Sequence, residues 1–255
     1  MIEKTRKILP CLDIRNGKVV KGVNFENIRE MGDPVELATK YGAAGADALA
    51  FLDITKTKEK HGFYLDLISE ITSNIEIPLF VGGGISTLKD INLILNAGAS
   101  KVSIASAALT NPNFISDAAS EFGHDKIIIA LDVAQDLADN KYYAYTHGGQ
   151  KKTDFEVFEL IEKFDQIGVS AFLITGISFD GSKSGFDLAF FKEAGKRTNT
   201  TLIASGGAGK IEDFVDLFQK TNVEYSLAAS IFHQNTVNIR ELKQNLASKN
   251  INVNL

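Results

Sequence analysis

Eight short apolar runs alternate along the chain with longer segments whose apolar residues recur at helical spacing. The runs are "KILPCLD" (7–13), "ALAFLD" (48–53), "IPLFV" (77–81), "KVSIA" (101–105), "IIIALD" (127–132), "AFLIT" (171–175), "TLIAS" (201–205) and "YSLAA" (225–229). Continuous apolar runs of this length suit strands buried on both faces, as in a parallel sheet. Helical periodicity follows in "DPVELATKYGAAG", where Pro34 suits a first turn, and in "TLKDINLILNAG", "NPNFISDAASEFG", "DFEVFELIEKFDQIG" and "KIEDFVDLFQK". Gly45, Gly98, Gly123 and Gly168 stand where these helices should stop. Strand–helix units without a linker predict an α/β fold of the (β/α)8 TIM-barrel type, one domain over residues 1–255. An open doubly wound sheet fits the same strand count.

The pattern also repeats. "PLFVGGGI" aligns with "LIASGGAG" and "KVSIASAAL" with "YSLAASIFH", which sets Val81 over Ser205 and Ser106 over Ser230. "LAFLDIT" over "FLITGIS" matches Asp53 with Thr175, and "PCLDI" over "IALDV" matches Asp13 with Asp132. Four matches in the same order predict two half-barrels, approximately 1–122 and 123–255.

Composition narrows the function. Of 255 residues 44% are hydrophobic and 23% charged, which suits a soluble globular protein. A net charge of -5 gives no basic footprint for nucleic acid. The single cysteine, Cys11, leaves no disulfide framework or Cys-rich zinc site, and the four histidines have no helical pairing. No metal and no cofactor is expected. The start "MIEKTRKILPCLDI" lacks a signal-peptide core, and no run of about 18 apolar residues could span a membrane. A reducing, cytoplasmic setting is the expectation.

In a barrel of this type the chemistry sits at the C-terminal ends of the strands. Gly82 to Gly84 follow the third strand, Gly206 and Gly207 the seventh. Ser106 and Ser230 follow the fourth and eighth strands, each near a helix start. Each half thus offers backbone N–H groups plus a hydroxyl, the requirement for holding a phosphate. Plain tight turns would use the same glycines. Asp13 and Asp132 close the first and fifth strands, opposite each other in a ring of eight, where two carboxylates can act as general acid and base. A lone Asp at such a place more often organises a loop. Lys21 lies in a long loop after the first strand that could act as a lid, and Asp180, Gly181 and Ser182 in a loop that could complete the second phosphate site.

These residues resemble the cyclase subunit of imidazole glycerol phosphate synthase, from histidine biosynthesis. "CLDIRNGKVVKGVNFENIREMGDPVELA", "FLDIT", "VGGGI", "ALDV", "DGSKSGFD", "ASGGAGK" and "LAASIFH" carry the resemblance over nearly the whole chain. It implies a barrel that takes a ribulosyl aminoimidazole carboxamide nucleotide with a phosphate at each end. Ammonia would come from a separate glutaminase subunit, in a heterodimer, through the barrel interior. Products would be imidazole glycerol phosphate and an aminoimidazole carboxamide ribotide. By position Asp13 and Asp132 look like the acid/base pair and Lys21 like the loop lysine that meets substrate. Asp53, Thr175 and Ser205 look like mouth-lining polar residues. Gly84, Ser106, Asp180, Gly181, Gly206, Gly207, Ala229 and Ser230 look like the remaining substrate contacts. A related barrel using ammonia in another pathway, such as surface-sugar amidination, or a non-catalytic barrel that binds a phosphorylated metabolite, would share much of this pattern.

The chain departs from the family pattern in several places. Ala105 stands for a usual asparagine, Ser106 for threonine, Ser178 for aspartate and Ser100 for an acidic residue. At the opposite barrel end, where ammonia is expected to enter, the family's ring of alternating bases and acids reads Lys7, Ala48, Lys101 and Ala171. Two lysines without these acids are expected to repel, or to seek solvent and other anions.

Overall fold

A computed structural model describes residues 4–23, 26–54 and 61–255. The first half contains β1 (Lys7–Arg15), β2 (Lys18–Val23), β3 (Glu26–Gly32), α1 (Pro34–Ala43), β4 (Leu49–Asp53), α2 (His61–Asn74), β5 (Leu79–Gly82), α3 (Leu88–Asn96), β6 (Lys101–Ile104), α4 (Ser106–Thr110) and α5 (Pro112–Phe122). The second contains β7 (Ile127–Gln135), β8 (Tyr142–Thr146), β9 (Lys151–Glu156), α6 (Val157–Ile167), β10 (Ala171–Gly176), α7 (Leu188–Arg197), β11 (Thr201–Ser205), α8 (Ile211–Lys220), β12 (Tyr225–Ala228), α9 (Ser230–His233) and α10 (Ile239–Ser248).

Eight strands pair in parallel in the order β10, β11, β12, β1, β4, β5, β6, β7, and β7 pairs with β10, so the sheet closes. Closure removes the open-sheet alternative. The eight expected strands lie where the apolar runs are, but β1 and β7 continue past Asp13 and Asp132 to Arg15 and Gln135. Each then folds back as an antiparallel hairpin, β2–β3 on β1 and β8–β9 on β7. The expected long loop after the first strand is therefore a β-ribbon, and the second half repeats it.

The register fixes the barrel geometry. From Asp13, partners run through Leu52, Gly82, Ser103, Ile128 and Ala171 to Thr201. Thr201 lies two residues before Ile203, whose own partners run through Tyr225 back to Lys7. One circuit therefore descends eight residues on β1, the stagger of an eight-stranded TIM barrel. With one residue of descent per strand, inward side chains fall into layers of four from alternate strands. The helix-facing residues, among them Ile8, Leu12, Phe51, Val81, Ile129 and Phe172, form the main core. Leu9, Cys11, Ala50, Phe80, Ile128 and Leu173 belong to a separate interior cluster.

Local chemistry supports the frame. Asp33 caps α1 by accepting from the Val35 and Glu36 N–H groups, and Pro34 opens the helix. Gly168 ends α6 in the left-handed conformation. The N-termini of α3 and α8 are closed alike: Asp90 Oδ2 accepts from the Ser86 and Thr87 N–H groups, and Asp213 Oδ2 from those of Gly209 and Lys210. Near the chain's ends, Lys243 Nζ reaches the buried Asp47 Oδ1 at 2.9 Å and the Gly45 carbonyl at 2.6 Å. Asp47 Oδ2 also accepts from Ile8 N–H at 2.8 Å. Removing one member strands a buried charge, so Lys243→Ala is expected to cost about 3–5 kcal/mol, read from the urea midpoint.

Candidate active site

Asp13, Gly84, Asp132 and Gly207 lie at one level of the C-terminal mouth, the two carboxylates on opposite strands. Leu52, Ala105, Thr175 and Ala229 form the next level. Thr175 pairs laterally with both Asp132 and Ser205, which brings three expected residues onto neighbouring strands. Cys11 Sγ lies 3.5 Å from Asp13 Oδ1 and donates to it. Asp53 ends β4 one residue after the inward-facing Leu52, and its charge helps to raise the Tyr64 phenol, after burial. Lys21 is on β2; its side chain lies outside the described residues.

Asp132 lines a cavity of about 210 Å³ with Thr175, Ile177, Asp180 and residues 148–150. Burial, and then the charge of Asp180, push the Asp132 carboxyl up to about 6. Asp180 thus sits with the carboxylate rather than only at the phosphate site expected for its loop. Gly148, Gly149 and Gln150 were not expected from the sequence. They follow β8 in a tight turn with three successive positive φ angles, His147 at 57°, Gly148 at 65° and Gly149 at 79°. The doubled glycine of "THGGQ" is the signal that points to a loop pressed against a ligand space.

The two glycine cradles match in detail. Gly83 and Gly84 have positive φ (105° and 69°), as do Gly206 and Gly207 at the same levels (89° and 105°), and the residues preceding α4 and α9, Ala105 and Ala229, share an unusual backbone with ψ of -96° and -72°. Neither short helix has a side-chain cap. Ser106 and Ser230 are the first residues of these two helices, whereas α3 and α8 carry acidic residues, Asp90 and Asp213, that accept from the N–H groups just before each helix. The cradles differ in cover. Gly206, Gly207 and Ala229 are buried, while Gly84, Ala105 and Ser106 are exposed. Over the second, Gly185 N–H donates to the Gly207 carbonyl at 2.9 Å and brings residues 178–185 across it.

At the opposite end Lys7 has found another anion, one of the outcomes expected for it. Lys7 is partnered by Glu224, at 2.9 Å, and by the Tyr225 hydroxyl, at 3.0 Å. Burial opposes its charge, but these bonds outweigh it and raise the Lys7 pKa. Lys101 donates to the Asp125 carbonyl, and burial lowers its pKa. The missing acids at Ala48 and Ala171 are replaced by one acid on a neighbouring turn.

A closed (β/α)8 barrel with two carboxylates opposed at its C-terminal mouth is the frame of a barrel enzyme. The model of the family described as "Histidine biosynthesis protein" matches residues 7–238, and the chain belongs to this family. It is 46% identical to "Imidazole glycerol phosphate synthase subunit HisF" of Staphylococcus saprophyticus, over 96% of this chain and 97% of that one. Proteins of the same name from Alkaliphilus metalliredigens and Petrotoga mobilis are each 45% identical, over 98% of this chain and 98% and 99% of theirs. Among the described residues no helix is long and apolar enough to cross a membrane.

Proposed function

We infer that this chain is the cyclase subunit of imidazole glycerol phosphate synthase, a lyase-type enzyme of histidine biosynthesis. Its substrate is the bis-phosphorylated ribulosyl aminoimidazole carboxamide nucleotide, and its second substrate is ammonia from a glutaminase partner. The observation that carries this reading is the symmetry of the mouth: opposed Asp13 and Asp132, each half with a glycine cradle and an uncapped helix start.

Each phosphate sits against backbone N–H groups and a serine hydroxyl, one at Gly84 and Ser106, the other at Gly207 and Ser230. The reacting centre then spans the mouth between the carboxylates. Asp132, with its pKa near 6, is suited to take and return a proton close to neutrality. Asp13 serves the opposite side, so one can act as acid while the other acts as base during imine formation, cleavage and ring closure. The Ala105 site lacks a side-chain donor, so the first phosphate relies on backbone and Ser106.

The test is inorganic phosphate binding followed by calorimetry. Two sites are expected in the wild type. Ser230→Asp, which sets a negative charge in the second cradle, should leave one site. Two sites retained in that variant would count against the cradle assignment.

A further inference from the structure

The loop that covers the second cradle carries a cation. Residues 178–185 lie directly on the turn after β11. A side chain at Gly206 would sit 2.8 Å from the Gly176 carbonyl oxygen, and one at Gly209 would sit 2.5 Å from the Lys183 carbonyl oxygen and 2.8 Å from its Cβ. With the bond from Gly185 N–H to the Gly207 carbonyl, these close approaches hold the loop along residues 206–209. Its apex is braced from within. Ser182 Oγ donates to the Phe179 carbonyl at 2.6 Å, lies 2.6 Å from Ser184 Oγ and accepts from the Ser184 N–H at 3.2 Å. Between the two serines Lys183 takes a left-handed backbone, with φ of 57°. That conformation is uncommon for a lysine and persists where its surroundings impose it.

From this apex Lys183 Nζ reaches Gln234, the residue that ends α9, and donates to its Oε1 at 3.2 Å. The stem therefore runs from the turn after β11 to the far end of the helix that begins at Ser230. Those two elements are the walls of the second cradle. The partner is neutral: among the described residues Lys183 has no carboxylate within 4.0 Å. Acids around the loop are committed elsewhere. Asp180 lines the Asp132 cavity, Asp187 accepts from the Phe190 N–H, and Asp213 accepts from those of Gly209 and Lys210. Lys40 repeats the arrangement on the next residue, donating to Asn235 Oδ1 at 2.8 Å, again with no carboxylate within 4.0 Å among the described residues. Two ammonium groups thus meet the end of α9 through amides alone. Their charge stays available to an anion, which would give Lys183 the stronger, charge-assisted bond.

We propose that Lys183 is a ligand of the second phosphate, held on Gln234 while the cradle is empty and turned onto the phosphate when it is filled. Only the source of that phosphate, one end of the bis-phosphorylated substrate, rests on the cyclase reading.

Inorganic phosphate, followed by calorimetry, tests this one cradle at a time. Ser106→Asp closes the first cradle and leaves the second. In that background Lys183→Asn should weaken phosphate binding at least tenfold, and Lys183→Arg, which keeps the charge, by less than threefold. Asparagine accepts a left-handed backbone, so the loss would not come from strain in the turn. Gln234→Glu gives the ammonium a charged partner. It should weaken binding at least threefold by itself and add nothing to Lys183→Asn. In the Ser230→Asp background, which keeps the first cradle, Lys183→Asn should leave phosphate affinity unchanged. With the bis-phosphorylated substrate, Lys183→Asn should raise KM at least tenfold and act less on kcat. Equal phosphate affinity with and without Lys183 in the second cradle would overturn the proposal, whatever the turnover. An equal loss from Gln234→Glu in the presence and absence of Lys183 would mean plain repulsion and overturn the role of Gln234. A weakened second site in a protein that converts no substrate would keep the proposal and remove the cyclase reading. If Ser106→Asp does not fold, Lys183→Asn alone should weaken one of the wild type's two sites and spare the other.

Discussion

Asp132→Asn is expected to make the protein less active and more stable at once. Turnover with ammonia should fall by about 10²–10⁴, the usual worth of a positioned general acid or base. Asp13→Asn should lose activity on the same scale. The stability gain belongs to Asp132. Its folded-state pKa of about 6 lies above the ordinary 3.8, because burial and Asp180 disfavour the charge. The folded protein therefore holds the proton more tightly than the unfolded chain, and stability falls as pH rises from about 4 to about 6, then stays lower. Two pKa units correspond to about 3 kcal/mol. Removing the ionisable group should recover much of this above pH 6 and none of it at pH 4. In a chain of this size the gain would appear as roughly 5–10 °C in the melting temperature at pH 7.5. Unchanged melting at pH 7.5 would mean that the carboxylate is not strained in its site.

Gly207→Ala should be as damaging, by sterics. A Cβ there would lie 1.9 Å from the Gly185 carbonyl oxygen, on a backbone with φ of +105°. Both the left-handed backbone and the clash oppose any side chain, and the cost should exceed about 3 kcal/mol. What survives folding should bind the bis-phosphorylated substrate at least tenfold more weakly, since the loop over the second cradle must move away. Gly84→Ala is the contrast. Its added Cβ meets nothing within 4 Å, so only the φ of +69° opposes it, at about 1 kcal/mol. Urea midpoints of the two variants separate crowding from conformation, and equal midpoints would refute the difference drawn between the cradles.

Much of this architecture was readable from the chain because each signal was local or repeated. Apolar runs ending in Asp13 and Asp132 marked both the strands and the carboxylates at the mouth, and the doubled glycines marked both turns of positive φ. The hairpins were not readable. "KVVKGVNFENIREMG" has glycines and scattered charges, which read as a loop, and its pairing depends on β1 continuing beyond Asp13. The Asp180 role also escaped, because the loop fits a phosphate site equally well until its carboxylate is set near Asp132. The Lys7–Glu224 pair lay furthest from reach. Its members are 217 residues apart, and only closure of β12 onto β1 brings them together. Phe80 looked like any apolar strand residue, since a run buried on both faces gives no cue to which side chains enter the lumen.

The most direct test is a single-turnover reaction of the purified chain with its bis-phosphorylated substrate and ammonium chloride, followed by product analysis for wild type, Asp13→Asn and Asp132→Asn. Imidazole glycerol phosphate and the aminoimidazole carboxamide ribotide should form together in the wild type, and at least about a hundredfold more slowly in each variant. Near-normal rates in either variant would contradict the assignment of chemistry to the facing carboxylates.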